Sequence, residues 1–463
     1  MKRKLLLISP TERVRTKGFS LRKSGTRMLT VPPLGLASVA ALTSDDFDIS
    51  LIDERVEDID FNHKADLVAI STLTASAPRA YYIADRFRKK GLPVVMGGIH
   101  PSALPDEAIQ HADAVLIGEA EGAWQQLLLD FKKGKLKKFY KNETLPDVKD
   151  IPRARRDIFK KHKYTSINTL QITRGCPMNC EFCSVTKFFG ATHRQRQVDD
   201  VIEEIKEMKK TKQSFSINPI TSLVSYAVNK FNIFIFTDDN IFGNPKYAEE
   251  LFRKLIPLKI HWSGQASITV ARNEKLLELA AKSGCTVLFI GFESISDQGL
   301  KNMGKTWNKG DKTAVETYEE AIKKIHKYGI GIQGAFILGY GDKGMPVIKK
   351  TIDFIEKNHL EMVQFTVPTP LPGTRLYEKL EKEGRLLHKD WSKYDTGHVV
   401  FEPEGISAAE LQKQLEWATH RVYSFKSIFK RVKQRRIVFY WPNLLYRWAM
   451  LELFAKRPGS QSC

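Results

Sequence analysis

Short apolar runs that alternate with helical patterns constrain the fold of this chain more than any other sequence feature. In the first third of the chain, such runs predict strands at Leu5 to Ser9, Ile49 to Ile52, Leu67 to Ser71, Pro93 to Gly97 and Ala114 to Ile117. Helical patterns lie between them at Pro33 to Leu42 and Pro78 to Lys90. Continuous apolar strands joined through helices predict a Rossmann-like parallel sheet that helices cover on both faces.

The same alternation returns from residue 166 onward. Strands are predicted at Thr169 to Thr173, Ile233 to Thr237, His261 to Ala266, Thr286 to Gly291, Gly331 to Leu338 and Met362 to Val367. Helices are predicted at Val198 to Lys209, Pro245 to Leu255, Asn273 to Ala281, Thr313 to Tyr328 and Val347 to Lys357. These units are typical of a partial (β/α)6 barrel of the TIM type, in which functional groups collect at the carboxyl ends of the strands.

The length of the chain predicts several domains. A chain of 463 residues exceeds what one hydrophobic core usually organises, so two or three domains are expected. The patterns divide it into an N-terminal sheet domain at 1–140, a linker at 141–165, a barrel at 166–400 and a basic helical region at 401–463. The linker is rich in Lys, Pro and Asp, which is typical of a connector between domains.

Cysteine usage and the N-terminus predict the compartment. Three of the five cysteines lie in one motif, which argues against a disulfide framework and for a reducing environment. The start, MKRKLLLISP, holds too short an apolar run for a signal peptide, and no spanning helix is expected. We therefore expect a cytoplasmic protein. The net charge of +20 indicates either a solvated basic surface or an acidic partner such as anionic lipid or nucleic acid.

Three cysteines lie close together in the stretch QITRGCPMNCEFCSVT. Cys176, Cys180 and Cys183 have the spacing C-x3-C-x2-C, which can surround one compact metal centre. Structural zinc usually takes four ligands, and an ordinary four-iron cluster takes four thiolates. Cys285 is far away in the sequence, so three thiolates on such a cluster would leave one iron open to bind a substrate. The alternative is a zinc site that His193 completes.

This spacing, with Phe182 before the last cysteine and the strand predicted at Thr169 to Thr173, resembles the signature of the radical S-adenosylmethionine (SAM) enzymes. The resemblance implies that the three cysteines hold a [4Fe-4S] cluster whose open iron chelates the amino and carboxylate groups of SAM. It also implies an external electron donor, such as a flavodoxin- or ferredoxin-like protein, whose electron breaks the sulfonium bond and produces a 5'-deoxyadenosyl radical. The cofactors supply that chemistry, and the protein supplies orientation and exclusion of water.

The same resemblance assigns SAM contacts to residues at barrel strands. These candidates are Asp238 and Asp239 after the second strand, Gln265 and Ser267 after the third, Glu293 and Ser294 after the fourth, and Gly334 in the glycine-rich fifth. For the two aspartates, the alternative role is to cap the following helix, which Asn244 and Pro245 are already suited to do. A carboxylate such as Glu293 after an apolar run is costly to bury without a partner, which favours a functional role.

Glycines, hydroxyl groups and one carboxylate follow the strands of the N-terminal sheet, where such sheets bind their ligands. The candidates are Ser71, Thr72, Gly97, Gly98, Gly118 and Glu119. With the motifs VPPLG, GGIHPSALPDEA and IGEAEGAW, the segment resembles the cobalamin-binding domain that often precedes a radical SAM domain. The D-x-H-x-x-G motif, which supplies an axial histidine in many cobalamin proteins, is absent, and we do not assign His100 as a cobalt ligand. Each glycine has the alternative role of an ordinary turn residue.

The C-terminal region is predicted to be helical and basic. It begins with a capping box at Ser407 to Glu410 and continues as a basic amphipathic pattern followed by aromatic residues. Such a stretch either lies on an anionic membrane or packs its apolar face on the barrel. The separate segment Lys212 to Lys230 is longer than usual loops between a helix and a strand, and we assign no role to it.

Together these features predict a cobalamin-dependent radical SAM methyltransferase that acts on an unactivated carbon of a small-molecule or lipid substrate. Cluster, SAM, substrate and cobalt must then share one enclosed cavity, because a misplaced radical attacks the wrong atom. The alternatives within the same family are rearrangement, cyclisation and methylthiolation. A zinc-containing nucleic-acid-binding protein is the alternative outside it, and we do not expect nucleic acid as the partner.

Overall fold

A computed structural model of the protein describes residues 2–11, 30–178, 180–211, 226, 228–309, 311–340, 344–432, 443, 444 and 447. Its N-terminal part contains a parallel sheet made of β1 (Arg3–Ser9), β2 (Phe47–Asp53), β3 (Leu67–Ser71), β4 (Val94–Gly97), β5 (Ala114–Ile117) and β6 (Phe139–Lys141). The strands lie in the order β2-β1-β3-β4-β5-β6. This confirms the predicted parallel sheet and adds β6, which crosses the domain boundary expected at residue 140.

Helices lie on both faces of this sheet. They are α1 (Leu34–Ala41), α2 (Ala77–Arg88), α3 (Ile99–Ala103), α4 (Pro105–Ala108) and α5 (Ala123–Lys132). Alternate residues of β1 enter different cores: Leu5 packs in the core that contains Trp124, and Leu6 packs in the core that contains Phe87. Burial on both faces is the reason why these strands have continuous apolar sequences.

Beyond the linker, the strands are β7 (Thr169–Leu170), β8 (Thr173–Arg174), β9 (Arg194–Gln195), β10 (Ile233–Phe236), β11 (His261–Ala266), β12 (Cys285–Glu293), β13 (Gly331–Ile337) and β14 (Met362–Thr366). Strands β7 and β10 to β14 form a parallel sheet that follows the order of the chain. β8 and β9 form a separate antiparallel ribbon. The sequential parallel order confirms the predicted partial barrel of β/α units.

Helices connect and flank these strands. They are α6 (Ser184–Phe189), α7 (Val198–Lys210), α8 (Pro245–Leu255), α9 (Glu274–Lys282), α10 (Asp297–Asn302), α11 (Ala314–Lys327), α12 (Met345–Lys357), α13 (Arg375–Lys382), α14 (Ala408–Val422) and α15 (Phe425–Arg431). The five predicted barrel helices are present within a few residues of their expected bounds. The sequence did not predict α6, α10 and α13.

The strand predicted at Thr169 to Thr173 is interrupted, and its halves belong to different sheets. The cause is the buried Asp238 carboxylate after β10, whose Oδ1 accepts the backbone N–H of Ile172 at 3.0 Å and also that of Thr173. The Asp238 side chain thus accepts the hydrogen bonds that a neighbouring strand would otherwise accept, at the point where the chain turns toward the cysteines. β12 is longer than predicted, so Glu293 ends this strand instead of following it.

After the barrel, the chain returns to the N-terminal domain. Trp391 and Tyr394 pack in the same core as Phe87, and Trp391 Nε1 donates a hydrogen bond to Glu107 Oε1 at 2.9 Å. α14 then packs on the barrel core, where Leu411 is fully buried. This is the barrel-packing alternative that the sequence offered for the C-terminal region.

The basic and aromatic tail after Val432 lies almost wholly outside the described residues, as does most of the segment Lys212 to Lys230. The membrane contact predicted for the tail stays a prediction. Of the helices that the structure describes, none combines the length and the apolar composition needed to cross a membrane.

Candidate active site

The cysteine-bearing stretch between β8 and β9 is called the cluster loop here. Its first residue, Gly175, has a φ of 84°, and an added Cβ would lie 2.1 Å from the Thr192 carbonyl oxygen. A side chain at this position would collide with the opposite end of the loop. Gly175 therefore allows the two ends of the loop to meet, and Cys176 follows it directly.

All three cysteines of the cluster loop are partly buried. Burial raises the pKa of each thiol, that of Cys180 to about 11, and the positive charge of Lys305 opposes this shift at each sulfur. The Asp239 carboxylate adds to the shift at Cys176 and Cys183. Because metals bind the thiolate, cluster binding at this loop releases protons.

Lys305 and Glu293 form a buried ion pair beside these cysteines. Lys305 Nζ lies 2.6 Å from Glu293 Oε1, and the two side chains are 9% and 10% exposed. The same Nζ lies 5.7 Å from the centre of the Phe182 ring in the cluster loop. Although burial opposes it, the Glu293 charge raises the pKa of Lys305, so the ammonium stays protonated.

Glu293 reaches Lys305 because the backbone of β12 is irregular at this point. The φ of Glu293 is 64°, in the left-handed region. The pairing of β12 with β13 also shifts register between Gly291 and Glu293. An added Cβ on Gly291 would lie 2.3 Å from Glu293 Oε1. The glutamate side chain thus occupies the space that a side chain at position 291 would fill.

The two aspartates predicted to bind SAM differ in their surroundings. Asp238 is fully buried and holds the backbone of residues 172 and 173, and burial raises its pKa to about 7. Burial raises the pKa of Asp239 to about 6. The Oδ2 atoms of both aspartates have no hydrogen-bond partner among the described residues, but Asp239 is only partly buried. Asn244 caps α8, so neither aspartate is needed as a helix cap. Asp239 is therefore the better placed of the two for a cationic ligand group.

Three further predicted SAM contacts lie near strand ends. Gln265 is next to the last residue of β11, and Ser267 follows the strand and accepts the Thr269 backbone N–H at 3.2 Å. Ser294 follows β12 and lines a small recess together with Glu293. These positions agree with the expected clustering at the carboxyl ends of the strands.

Gly334 differs from the other predicted SAM contacts because it lies in the middle of β13. An added Cβ there would lie 3.0 Å from Leu360 Cδ1 and 3.2 Å from Phe292 Cε2. The glycine thus faces a packed core, and its position gives no support to the SAM contact assigned to it. Its small size is explained by this packing.

The predicted cobalamin contacts come together because β3, β4 and β5 are neighbours in the sheet. Ser71 of β3 pairs with Gly97 of β4. Gly98, with a φ of 99°, lies so close that an added Cβ would be 2.7 Å from the Thr72 carbonyl oxygen. Gly118 has a φ of 82° and open space where a side chain would point. Open backbone of the kind that a large ligand requires is therefore present at Gly118, whereas Thr72 is buried with its hydroxyl 2.7 Å from that of Ser76.

Glu119, also predicted as a cobalamin contact, has both carboxylate oxygens engaged by arginines. Its Oε2 lies 2.5 Å from Arg174 Nη1, and its Oε1 contacts Arg194 Nη2. The Glu119 side chain is 1% exposed. The structure therefore gives it a role between the domains instead of toward a ligand. His100 is fully buried with its Nε2 3.0 Å from the Tyr81 hydroxyl.

The donor chemistry of the cluster loop fits an iron–sulfur cluster better than zinc. In the described ranges no three His, Cys, Asp or Glu side chains converge on one point, so the fit rests on three thiols in one loop beside a fixed cation. His193, the fourth ligand of the zinc alternative, has both ring nitrogens engaged. Its Nε2 lies 3.0 Å from the Asn240 carbonyl oxygen, and its Nδ1 lies 2.8 Å from Gln195 Nε2.

Sequence reasoning missed three charged residues of this site: Lys305, Arg174 and Arg194. No local pattern distinguishes Lys305, because its contact with Glu293 depends on the irregularity in β12. Arg174 offered a signal, since it directly precedes Gly175 and Cys176, and a charge at the start of a buried loop requires a partner.

Known families and proteins match most of the chain. The family model "B12 binding domain" matches residues 25–128, "Radical SAM superfamily" matches residues 170–355, and "Domain of unknown function (DUF4070)" matches residues 374–452. The Bacteriochlorophyllide d C-12(1)-methyltransferase of Chlorobaculum tepidum is 34% identical over 88% of this chain and 86% of its own length. The chain belongs to the cobalamin-binding radical SAM enzyme family.

A second relative and two solved structures are also similar to this chain. The Bacteriochlorophyllide d C-8(2)-methyltransferase of the same organism is 32% identical over 86% of this chain and 87% of its own length. The structure of OxsB with aqua-cobalamin and S-adenosylmethionine bound matches with a TM-score of 0.67 and 17% identity over 98% of this chain and 72% of that chain. TsrM from Kitasatospora setae, with cobalamin and a [4Fe-4S] cluster bound, matches with a TM-score of 0.64 and 15% identity over 89% of this chain and 85% of that chain. These matches confirm the predicted fold, a Rossmann-like domain followed by a barrel. The predicted cofactor set of cobalamin, SAM and a [4Fe-4S] cluster is the one that the two matched domains use.

Proposed function

We propose that the protein is a cobalamin-dependent radical SAM methyltransferase that transfers a methyl group to an unactivated carbon. The observation that carries this proposal is the presence, in one chain, of a three-cysteine cluster loop and a glycine-lined strand edge of the B12-binding type. Both curated relatives described above are methyltransferases, and each covers most of this chain. Methyl transfer is therefore the outcome that has the most support.

In this proposal, the chain's own residues position charges and exclude water. Cys176, Cys180 and Cys183 would hold the cluster, and Asp239 and Ser294 would face SAM. When bound, the cluster supplies the electron that cleaves SAM, and cobalamin supplies the methyl group. The Glu293–Lys305 pair provides fixed charges beside the cysteines, which orient a charged ligand without rearrangement.

We propose a hydrophobic small molecule or a lipid as the substrate. The names of the two relatives make bacteriochlorophyllide d the first molecule to test. A lipid extract is the second, because the basic tail favours contact with anionic lipid. Both are offered to the same anaerobically reconstituted enzyme.

Isotope transfer tests the reaction. The enzyme, reconstituted with cluster and hydroxocobalamin and reduced by flavodoxin, receives SAM that carries a deuterated methyl group. We expect a product that contains the intact deuterated methyl group, together with 5'-deoxyadenosine. Formation of 5'-deoxyadenosine with an unlabelled product would indicate rearrangement or cyclisation. Transfer of the label together with a sulfur atom would indicate methylthiolation.

We also propose an acidic electron-donor protein and a peripheral membrane contact. The net charge of +20 favours association with acidic surfaces. In α15, Phe425 and Phe429 are 57% and 67% exposed beside Lys426. Sedimentation with vesicles of anionic and of neutral lipid tests the membrane contact, which we expect with the anionic vesicles and not with the neutral ones.

A further inference from the structure

The β8–β9 ribbon places two like charges at the base of the cluster loop. Arg174 of β8 pairs directly with Arg194 of β9 in the antiparallel register. Like charges in such a pair destabilise a ribbon. Each strand of the ribbon has two residues, so few other contacts within it oppose the repulsion. The ribbon therefore requires an anion from elsewhere in the molecule.

Two glutamates of the N-terminal domain supply that anion. Glu119 Oε2 lies 2.5 Å from Arg174 Nη1, and Glu119 Oε1 contacts Arg194 Nη2, so one carboxylate bridges both arginines. Glu121 Oε1 lies 2.9 Å from Arg174 Nη2. Asn142 Nδ2 donates to the carbonyl oxygens of Glu119 and Glu121 at 3.0 and 2.7 Å, which fixes the turn that carries them. Charge-assisted bonds of this kind are strong where water is excluded.

The network joins the two cofactor regions. Glu119 directly follows Gly118 at the end of β5, on the edge assigned to cobalamin. Arg174 directly precedes Gly175 at the start of the cluster loop, and Arg194 donates to the Phe189 carbonyl oxygen at 2.8 Å, at the end of α6. One edge of the N-terminal sheet therefore contacts both ends of the loop that carries the cysteines.

We propose that Glu119 and Glu121 are positioning residues that hold the cluster loop at a fixed place relative to the cobalamin-binding edge. Glu119 bridges the arginines and removes their repulsion, and the enclosed loop then keeps one conformation. Because both cofactor sites must meet at one substrate, a rigid link between the two domains serves the reaction. The loop keeps this position whichever group the enzyme transfers.

Hydrogen exchange of the cluster-free, full-length protein tests this proposal. Glu119→Gln keeps the shape of the side chain but removes the bridging charge, so we expect the amides of Gly175 to Phe189 to exchange about tenfold faster. The amides of α2 and α11 should keep their rates. The matched control is Glu57→Gln, because Glu57 also contacts two cations of a later segment, Lys160 at 2.5 Å and Lys163 at 2.7 Å, but in the linker. This control should leave exchange in the cluster loop unchanged.

Charge rescue separates positioning from general destabilisation. The double variant Glu119→Gln, Arg194→Gln removes the repulsion together with the bridge, so we expect it to recover part of the slow exchange. The recovery is partial because the Arg194 donation to the Phe189 carbonyl oxygen is lost as well. Iron bound per chain after reconstitution should fall in the order wild type, double variant, single variant. If Glu119→Gln does not fold, Glu121→Gln removes only the Arg174 contact, and a smaller acceleration confined to the loop is expected. The proposal would be overturned by unchanged exchange in Glu119→Gln and Glu121→Gln, or by equal acceleration in Glu57→Gln. Faster exchange across the whole protein, or no recovery in the double variant, would overturn it as well.

Discussion

Glu293 adopts a backbone conformation that costs free energy, and the ion pair of its side chain with Lys305 offsets that cost. A residue other than glycine in a sparsely populated conformation loses roughly 1–3 kcal/mol. The Glu293 carboxylate binds the Lys305 ammonium at 2.6 Å in a buried place beside the cluster loop. Removal of either partner would leave an uncompensated buried charge. Strain and buried charge at one place are typical of a functional site, which agrees with the role proposed for this pair.

Gly291 is the residue that makes room for this pair. We expect Gly291→Ala to lower the free energy of unfolding by about 1–3 kcal/mol, because the added methyl group would lie 2.3 Å from Glu293 Oε1. Gly264→Ala in β11 is the matched control, because the nearest atom to its methyl group would be Phe236 Cβ at 3.5 Å, an ordinary contact. Urea denaturation of the cluster-free proteins measures the difference. Equal midpoints for the two variants would show that the space at Gly291 is not required.

Asp238 gives the folded protein a pH-dependent stability. Burial raises its pKa from an ordinary 3.8 to about 7, so between these values the folded state binds more protons than the unfolded state. This contribution to stability is complete below about pH 4 and is lost as the pH rises to about 7. We expect Asp238→Asn to reduce the fall in stability between about pH 4 and about pH 7, measured as urea midpoints without cluster. A fall as large as that of the wild type would contradict the assignment.

The sequence predicted those residues of the site whose chemistry is local. Three thiols in one short loop are typical of a metal centre. The Glu293 carboxylate follows an apolar run and requires a partner when it is buried. Lys305 was not predictable, because its contact depends on the register shift in β12. Glu119 was taken for a ligand contact because its arginine partners come from another domain.

The element that carries the three cysteines is the cluster loop, with the ribbon that closes it. Its two ends meet at Gly175, where backbone from both sides of the loop is in contact. The ribbon itself is short and is held by Asp238 on one side and by Glu119 on the other. The loop therefore depends on contacts from both domains more than on its own secondary structure.

We expect Gly175→Ala to prevent closure of the cluster loop and to abolish iron binding. The added methyl group would lie 2.1 Å from the Thr192 carbonyl oxygen, and the φ of 84° is unfavourable for alanine. Gly134→Ala is the control, since Gly134 also has a positive φ, 66°, but open space around an added Cβ. It should cost about 1 kcal/mol and bind iron normally. Equal iron content in both variants would show that loop closure is not needed for cluster binding.

Elements were predictable where one pattern determined them. The strands buried on both faces were found from their continuous apolar runs, because burial alone requires that pattern. β6 was missed because, in its sequence Phe139–Lys141, Tyr140 is buried between two exposed residues. The break between β7 and β8 was missed because it depends on Asp238, which is far away in sequence. The Asp238 carboxylate accepts the backbone N–H groups of Ile172 and Thr173.

At the scale of the whole molecule, the chain contains two parallel sheets, and contacts between distant segments join them. The order of the domains followed from the sequence, and the two family models match the chain in that order. The contacts between the domains did not follow, because they join distant segments. The Trp391 contact with Glu107 and the Arg174 contact with Glu119 are two such cases.

Iron content and SAM cleavage in cysteine variants test the central claim, a cluster held by three thiolates. Wild type, Cys180→Ala and Cys285→Ala are reconstituted anaerobically, and Cys285 is the control because it is buried at the start of β12. We predict about four irons per chain and formation of 5'-deoxyadenosine for the wild type and for Cys285→Ala. We predict neither for Cys180→Ala. Unimpaired SAM cleavage in Cys180→Ala, or colourless wild-type protein that contains zinc, would contradict the account.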